Sequence, residues 1–196
     1  MKTFLLVLTA FSVAAALAAA GGTAKPADRQ LKTYTMDNNY FSCGAPDGWS
    51  MVREKDRDEE YEIYEIEFLA PRSARSPATI RVSYYAKDNP DFSGYEDFVE
   101  SNSQNILGET KSERENYEPV KKIKLNGRKA FELSRTKMTY LNPESKSEES
   151  EQRKDKIYVL PAKEGFYVLK FSAPAAAFIK NLPVFEKIAK SFKGKP

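Results

Sequence analysis

Residues 157–192, IYVLPAKEGFYVLKFSAPAAAFIKNLPVFEKIAKSF, decide the fold. Two apolar, aromatic-rich runs, 157–161 and 166–171, are separated by Lys163-Glu164-Gly165, which predicts two strands joined by a tight turn. From Phe178 to Phe192 apolar residues recur at spacings of one, three or four, which predicts an amphipathic helix. Because Pro183 lacks a backbone N–H, we expect two helical pieces that meet near Leu182.

The segment before this stretch predicts another hairpin. Asn126-Gly127 lies between two runs, 121–125 and 128–133, and both turn residues tolerate the positive φ that a two-residue turn requires. Phe131 and Leu133 share one face of the second run, whereas Met138 and Tyr140 fall out of phase with them. This change of phase indicates a bulge between the two pairs. Residues 142–156 are polar throughout and predict a long mobile loop.

Strands and one helix are also predicted nearer the N-terminus. Alternating or aromatic-rich runs predict strands over 34–44, from Trp49 to Val52, over 64–68 and over 80–84. Ser93 and Glu96 fit a capping box, apolar residues from Tyr95 to Ile106 then fall on one helical face, and Gly108 is a plausible stop. The order of strands, helix, strands and helix predicts an α+β fold. We expect an α/β/α sandwich with a central, mainly antiparallel sheet and a C-terminal amphipathic helix packed on it.

The first twenty residues have a different character. Lys2 precedes an uncharged apolar run from Phe4 to Leu17, and Ala18-Ala19-Ala20 supplies the small residues at which a signal peptidase cuts. We therefore expect a signal peptide over 1–20, a flexible leader over 21–33 and a single domain over 34–193.

This apolar run is too short and too rich in alanine for a comfortable transmembrane helix, and no cysteine follows it directly to carry a lipid. We expect an exported, soluble periplasmic or extracellular protein after cleavage near Ala20, with no membrane span in the mature chain. An uncleaved N-terminal anchor is the alternative.

One cysteine and no histidine limit the chemistry of the chain. Cys43 cannot form an internal disulfide, and its apolar neighbours predict an inert, buried thiol. Without histidine, the usual nucleophile triads and imidazole metal sites cannot form. The net charge of +3 is spread over mixed charges, which gives no strong field for nucleic acid. We therefore expect no cofactor and no nucleic-acid partner.

Four acidic residues form a candidate metal site: Asp56, Asp58, Glu59 and Glu60. Their carboxylates suit a hard cation such as calcium. The run lacks the glycine at position 6 and the glutamate at position 12 of an EF-hand loop. A charged hairpin tip from Arg53 to Glu60 explains the same residues without a metal.

Three further residues are candidates for binding a partner. Arg72 and Arg75 lie between two prolines and have the side chains that grip anions. Tyr85 offers a large ring with a polar tip, which suits a protein or sugar surface. The alternatives are a solvated loop for the arginines, and a strand whose tyrosines divide between core and rim for Tyr85.

Three segments together resemble a known family: Tyr40-Phe41 with Pro46-Asp47-Gly48-Trp49, the stretch Leu125-Asn126-Gly127-Arg128-Lys129-Ala130, and 165–169 followed by 185–192. Over residues 34–193 the chain resembles the PsbP-like domain family, which includes a photosystem II extrinsic protein, a Ran-binding protein and the bacterial envelope protein DcrB. The resemblance implies an α/β/α sandwich with an antiparallel sheet, and a binding or accessory role. The histidines with which the photosystem protein handles ions have no counterpart in this chain.

These observations support one leading function and two alternatives. We expect a non-catalytic accessory protein that binds another protein in the periplasm or cell envelope, and not an enzyme. The second hypothesis is a carrier that holds a small ligand or lipid between the sheet and the C-terminal helix. The third is an enzyme that uses carboxylates or Ser–Lys chemistry, which requires a cleft with at least two convergent groups of shifted pKa.

Overall fold

The computed structural model describes residues 31–56, 58–72, 76–142, 144 and 149–195. The predicted signal peptide, 1–20, lies outside these residues. Numbered in chain order, the strands are β1 Lys32–Thr35, β2 Phe41–Ala45, β3 Ser50–Val52, β4 Ile63–Leu69, β5 Thr79–Ala86, β6 Glu115–Tyr117, β7 Lys121–Leu125, β8 Arg128–Tyr140, β9 Ser150–Ala162, β10 Gly165–Pro174 and β11 Lys193–Gly194. The helices are α1 Asp58–Tyr61, α2 Tyr95–Asn102 and α3 Ala175–Ser191.

The strands form two antiparallel sheets. In the described part of the chain, the large sheet has the order β3-β4-β5-β10-β9-β8-β6, and β7 also pairs with β8. The small sheet has the order β1-β2-β11. Its first strand begins at Lys32, inside the stretch expected as a flexible leader, because Lys32 to Thr35 pair with β2. With the C-terminal helix packed on the large sheet, the architecture is the α+β sandwich that the sequence predicts.

One face of the large sheet packs against α3 and the small sheet, and we call it the α3 face. Phe185, Ile188 and Ala189 of the helix are fully buried there. The Phe185 ring stacks on Tyr158 of β9 with centroids 5.3 Å apart and on Phe171 of β10 at 5.6 Å. Aromatic side chains therefore fill the space between helix and sheet.

The opposite face is only partly covered by α2, and we call it the α2 face. Alternation along β10 places Phe166 and Val168 on this face, where they pack with Phe98 of α2. Tyr85 of β5 stacks on Phe166 with a centroid distance of 4.7 Å and an interplanar angle of 4°. The rest of this face, over β3, β4 and the first half of β5, carries mainly polar side chains, among them Glu65, Glu67 and Arg81.

The C-terminal helix differs from its prediction in one respect. Residues 175–191 form one helix with Pro183 inside it, rather than two pieces that meet near Leu182. Proline removes one backbone hydrogen bond. The buried residues of the last two turns, Phe185 and Ile188, hold those turns on the sheet, so tertiary packing outweighs the local preference.

The predicted α2 helix is shorter than its apolar pattern. It begins at Tyr95, and Ser93 donates to the Asp97 carboxylate rather than pairing with Glu96. It ends at Asn102, so Ile106 lies outside it and is 101% exposed. The Asn105 side chain accepts hydrogen bonds from the backbone N–H groups of residues 107 and 109, both at 2.9 Å, and this turn replaces the helix.

The hairpin of β8 and β9 corrects two expectations. Its register continues without offset from Phe131↔Val159 to Tyr140↔Ser150, so the expected bulge is wrong. Met138 and Tyr140 point to the face opposite Phe131 and are partly exposed, because this end of the hairpin extends beyond the core. Residues 150–156 belong to β9 and not to the loop predicted over 142–156. Arg153 and Asp155 of this segment point to the α2 face, where Arg153 donates to Ser172 and Asp155 accepts from Arg135.

Candidate functional site

An open cleft of about 370 Å³ lies on the α2 face over β3, β4 and β5, beside the part covered by α2. Its lining has a strong excess of negative charge and two aromatic rings. The described residues that line it are Val52, Glu54, Tyr61, Ile63, Glu65, Glu67, Arg81, Tyr85 and Asp91. The site thus combines four carboxylates with one guanidinium.

The floor of the cleft is a cross-strand row of side chains. Val52 of β3 pairs with Glu67 of β4, and Glu67 pairs with Arg81 of β5, so the three side chains project from the same face. Arg81 Nε donates to Glu67 Oε1 at 2.9 Å. In the next row, Ser83 Oγ donates to Glu65 Oε2 at 2.7 Å. These bonds fix the two glutamates upright on the sheet.

Alternation explains why carboxylates line this face. Along β4, Ile66 and Phe68 are buried on the α3 face, so Glu65 and Glu67 point the other way. The same alternation along β5 puts Tyr84 in the core and Tyr85 at the cleft. Burial raises the pKa of the Tyr85 phenol, which therefore stays neutral and keeps its O–H as a donor.

One wall of the cleft is built by α1 and held by an ion pair. Arg53 donates both terminal nitrogens to the two carboxylate oxygens of Asp58, and Asp58 is buried. This bidentate pair places Tyr61, three residues further on, beside the cleft.

The candidate metal residues do not converge. Asp58 is occupied by Arg53, whereas Asp56, Glu59 and Glu60 are exposed around the short helix. In the described part of the chain, no three acidic or sulfur ligands come together in a group that would hold a metal ion.

The three candidate partner-binding residues have separate positions. Tyr85 lines the cleft. Arg72 is exposed in the loop between β4 and β5, away from the cleft lining. Arg75 lies outside the described residues.

A buried charge cluster lies next to the cleft on the same face. The Asp155 side chain is 1% exposed; its Oδ2 accepts from Arg135 Nε at 2.8 Å and lies 3.9 Å from Lys170 Nζ. Lys170 pairs across the sheet with Arg81, so this cluster and the cleft adjoin. Arg135 also donates to the Asn102 side chain at 3.3 Å, which ties the cluster to the end of α2.

The charges of the cluster shift each other's pKa. Burial by itself would raise the pKa of Asp155, but Lys170 and Arg135 outweigh it and hold that pKa below its usual value. Burial lowers the pKa of Lys170 to about 8, against the attraction of Asp155. Asp155 and Lys170, whose pKa values are both shifted, are thus neighbours, yet neither lines the cleft. Asp155 stays ionised and neutralises the charges of Lys170 and Arg135.

Of the candidate partner-binding residues that the structure describes, Tyr85 lines this cleft. Glu65, Glu67 and Arg81 match the alternating pattern of solvated strand faces, and Asp91 gives no local signal. Asp155 was assigned to a loop. The alternation along β4 contained the information that its glutamates share a face, but not that this face is left uncovered by α2.

Among the helices in the described residues, none has the length and apolarity needed to cross a membrane. No protein-family model and no curated protein matches the chain.

Solved structures do resemble it. The solution structure of the cyanobacterial PsbP protein CyanoP from Synechocystis sp. PCC 6803 has a TM-score of 0.53 at 14% identity, and the match covers 91% of this chain and 99% of that protein. A protein from Bacteroides thetaiotaomicron VPI-5482 has a TM-score of 0.51 at 13% identity; the match covers 85% of this chain and 49% of that one. At such identities the likeness concerns the fold alone. The sandwich that carries the acidic cleft therefore has a PsbP-like fold.

Proposed function

We propose that this protein is an exported, non-catalytic binding protein that contacts another protein of the periplasm or cell envelope through the cleft on its α2 face. The observation that carries the proposal is the lining of the cleft. Sites for small molecules are enclosed and mainly apolar. This one is open and lined mainly by charged and aromatic side chains, as Glu65, Glu67, Arg81 and Tyr85 illustrate. Such a surface suits a protein partner of complementary charge.

The packing of α3 does not favour the carrier hypothesis. A ligand held between the sheet and the C-terminal helix would need space among Phe171, Phe178 and Phe185. Their rings contact each other, with Phe171–Phe178 centroids 4.9 Å apart, and Phe185 is fully buried. Admitting a lipid there would require the core to open.

The enzyme hypothesis has its strongest support in Asp155 and Lys170, and these residues are better explained as a structural ion cluster. A general base needs access to its substrate. The Asp155 carboxylate is covered by the groups that neutralise it. This arrangement favours binding over catalysis.

Export belongs to the proposal because the signal peptide predicted over 1–20 leads to the envelope. We expect the chain expressed in a bacterial host to appear in the periplasmic fraction, and its N-terminal residue to be Gly21. Retention of the intact N-terminus in the membrane fraction would favour an uncleaved anchor instead.

A photo-reactive side chain placed at the cleft tests the site of contact. Val52 lines the cleft at its outer edge and is 37% exposed, whereas Ile179 on α3 is 73% exposed on the other side of the molecule. In cells that make the full chain, benzoylphenylalanine at 52 should give a discrete cross-linked product, and the same residue at 179 should not. Absence of a product at 52, or the same products at both positions, would contradict the proposal.

A further inference from the structure

We propose that the partner presents an extended segment rich in lysine or arginine, which pairs with the open edge of β3 and places its cationic side chains in the cleft. This inference rests on the proposed function and specifies its ligand. Three observations carry it: the charge of the cleft, the open edge of β3, and the row of side chains that joins them.

The charge of the cleft selects a cationic partner. Four of the described lining residues are carboxylates, and the single guanidinium, Arg81, already bonds to Glu67. An excess of negative charge between low-dielectric walls attracts cations and repels acidic segments. Tyr61 and Tyr85 add ring faces and edges of the kind that lysine and arginine contact favourably.

The edge of β3 is open to strand addition. Among the described strands, β3 pairs only with β4. All three of its residues, Ser50, Met51 and Val52, are exposed, and Met51 is 54% exposed although it is apolar. An edge strand leaves the backbone groups on its outer side unpaired, and an extended peptide binds by completing that ladder.

The other end of the sheet is protected against such pairing. There β6 and β7 share the edge beside β8: a bridge from Lys111 to Asn116 covers β6, and β7 carries Lys121, Lys122 and Lys124, all of them exposed. Charged lysines are a common device that keeps an edge from pairing. The segment Ser50–Val52 has no charge and no proline, so the two edges of one sheet differ in their readiness to accept a strand.

The geometry joins the edge to the cleft. Val52, Glu67 and Arg81 form one cross-strand row on the α2 face. A strand added to β3 would lie about 4.8 Å further out, and every second side chain would project from the same face as Val52. A long cationic side chain in that position extends over Val52 towards Glu67, and its neighbour two residues along the added strand extends towards the next row, which holds Glu65.

The probe is the peptide acetyl-Lys-Thr-Lys-Thr-Lys-Thr-Lys-amide, titrated into the isotope-labelled protein purified from the periplasm of the expressing host. We expect amide shifts concentrated at 50–52 and at the cleft, and none from the glutamate analogue of the peptide. The variant Asp91→Asn removes one cleft carboxylate and should weaken binding about two- to five-fold. The matched control Asp88→Asn removes an exposed carboxylate outside the cleft lining and should leave the affinity unchanged.

Two N-methylated peptides separate strand pairing from charge attraction. One is methylated at its lysine amides and the other at its threonine amides, so each loses the N–H donors of one edge. Because only one edge of a strand can face β3, we expect one methylated peptide to lose at least about ten-fold in affinity and the other to bind like the parent.

Equal effects of both methylations, or shifts that map to α3, would overturn this inference. So would equal effects of the two aspartate variants. If the cross-link at Val52 persists in any of these cases, the proposed contact site stands and only its occupant is wrong. Loss of the Val52 cross-link contradicts both the proposed contact site and its proposed occupant.

Discussion

Replacing Asp155 with asparagine should destabilise the protein strongly. The side chain is 1% exposed, and its Oδ2 lies 2.8 Å from Arg135 Nε and 3.9 Å from Lys170 Nζ, whose side chains are 11% and 29% exposed. Asparagine keeps the shape but removes the charge, so two cations remain without their buried counter-ion. Removing one partner of a buried ion pair typically costs about 3–5 kcal/mol. For a chain of this size, that corresponds to a fall in melting temperature of roughly 6–20 °C.

Urea unfolding followed by fluorescence measures this change, because the chain has one tryptophan, Trp49, packed against the core. The control Asp88→Asn makes the same chemical change at an exposed position and should change the free energy of unfolding by less than about 0.5 kcal/mol. The double variant with Lys170→Met should be more stable than Asp155→Asn alone, because it removes one of the stranded cations. A loss below about 1 kcal/mol in Asp155→Asn would refute the view that this carboxylate holds the cluster together.

Three other predictions concern pH, backbone and thiol chemistry. Burial lowers the pKa of Lys170 to about 8 in the folded protein, from an ordinary 10.5 that applies to the unfolded chain. The contribution of this lysine to the free energy of unfolding is therefore complete above pH 10.5 and is lost as the pH falls through the folded pKa of about 8. Between pH 8 and 9.5 the free energy of unfolding of the wild type should therefore rise by about 1–2 kcal/mol relative to Lys170→Met, and parallel denaturation curves for the two proteins would contradict this. Gly165→Ala should lower the free energy of unfolding by at least about 2 kcal/mol, because the residue has φ +126° and the new Cβ would clash with the backbone oxygen of Tyr85. The control Gly127→Ala, also at positive φ but in open space, should cost about 1 kcal/mol. Thermal unfolding measures both, and equal losses would count against the clash. Cys43 is buried, and burial raises its thiol pKa to about 12, so Ellman's reagent should react with it only after unfolding; rapid reaction of the native protein would be the contrary result.

Most of the secondary structure followed from local patterns in the chain. The Asn126-Gly127 turn has φ of 51° and 80°, the positive values that its residue types predict. Alternation located β4 and β5, and the aromatic periodicity located α3. These features depend on neighbouring residues, so sequence alone reveals them.

Two errors in the fold share a physical cause, since each arose where a distant contact outweighed a local preference. Pro183 remains inside a helix because Phe185 and Ile188 are anchored on the sheet. Residues 150–156 are polar enough for a loop, but the long β8 strand supplies a pairing partner for every one of them. Neither effect is visible in a window of ten or fifteen residues.

The candidate site depended even more on tertiary structure. Period-two alternation in the sequence determined that Glu65 and Glu67 point away from the apolar side of β4. It could not determine that α2 ends at Asn102 and leaves their face open, or that Arg81, Tyr85 and Asp91 would gather around them.

The sequence by itself therefore determined most elements of this protein, the polarity of their faces and the absence of histidine chemistry. Only the tertiary structure decided which polar face is buried and which is open. Asp155 and Glu67 are both acidic strand residues, yet packing makes the first a buried counter-ion and the second part of a cleft. The physical reason is that the surroundings of a charge are supplied by residues far away in the chain, and those surroundings determine whether the charge stabilises the fold or is available to a partner.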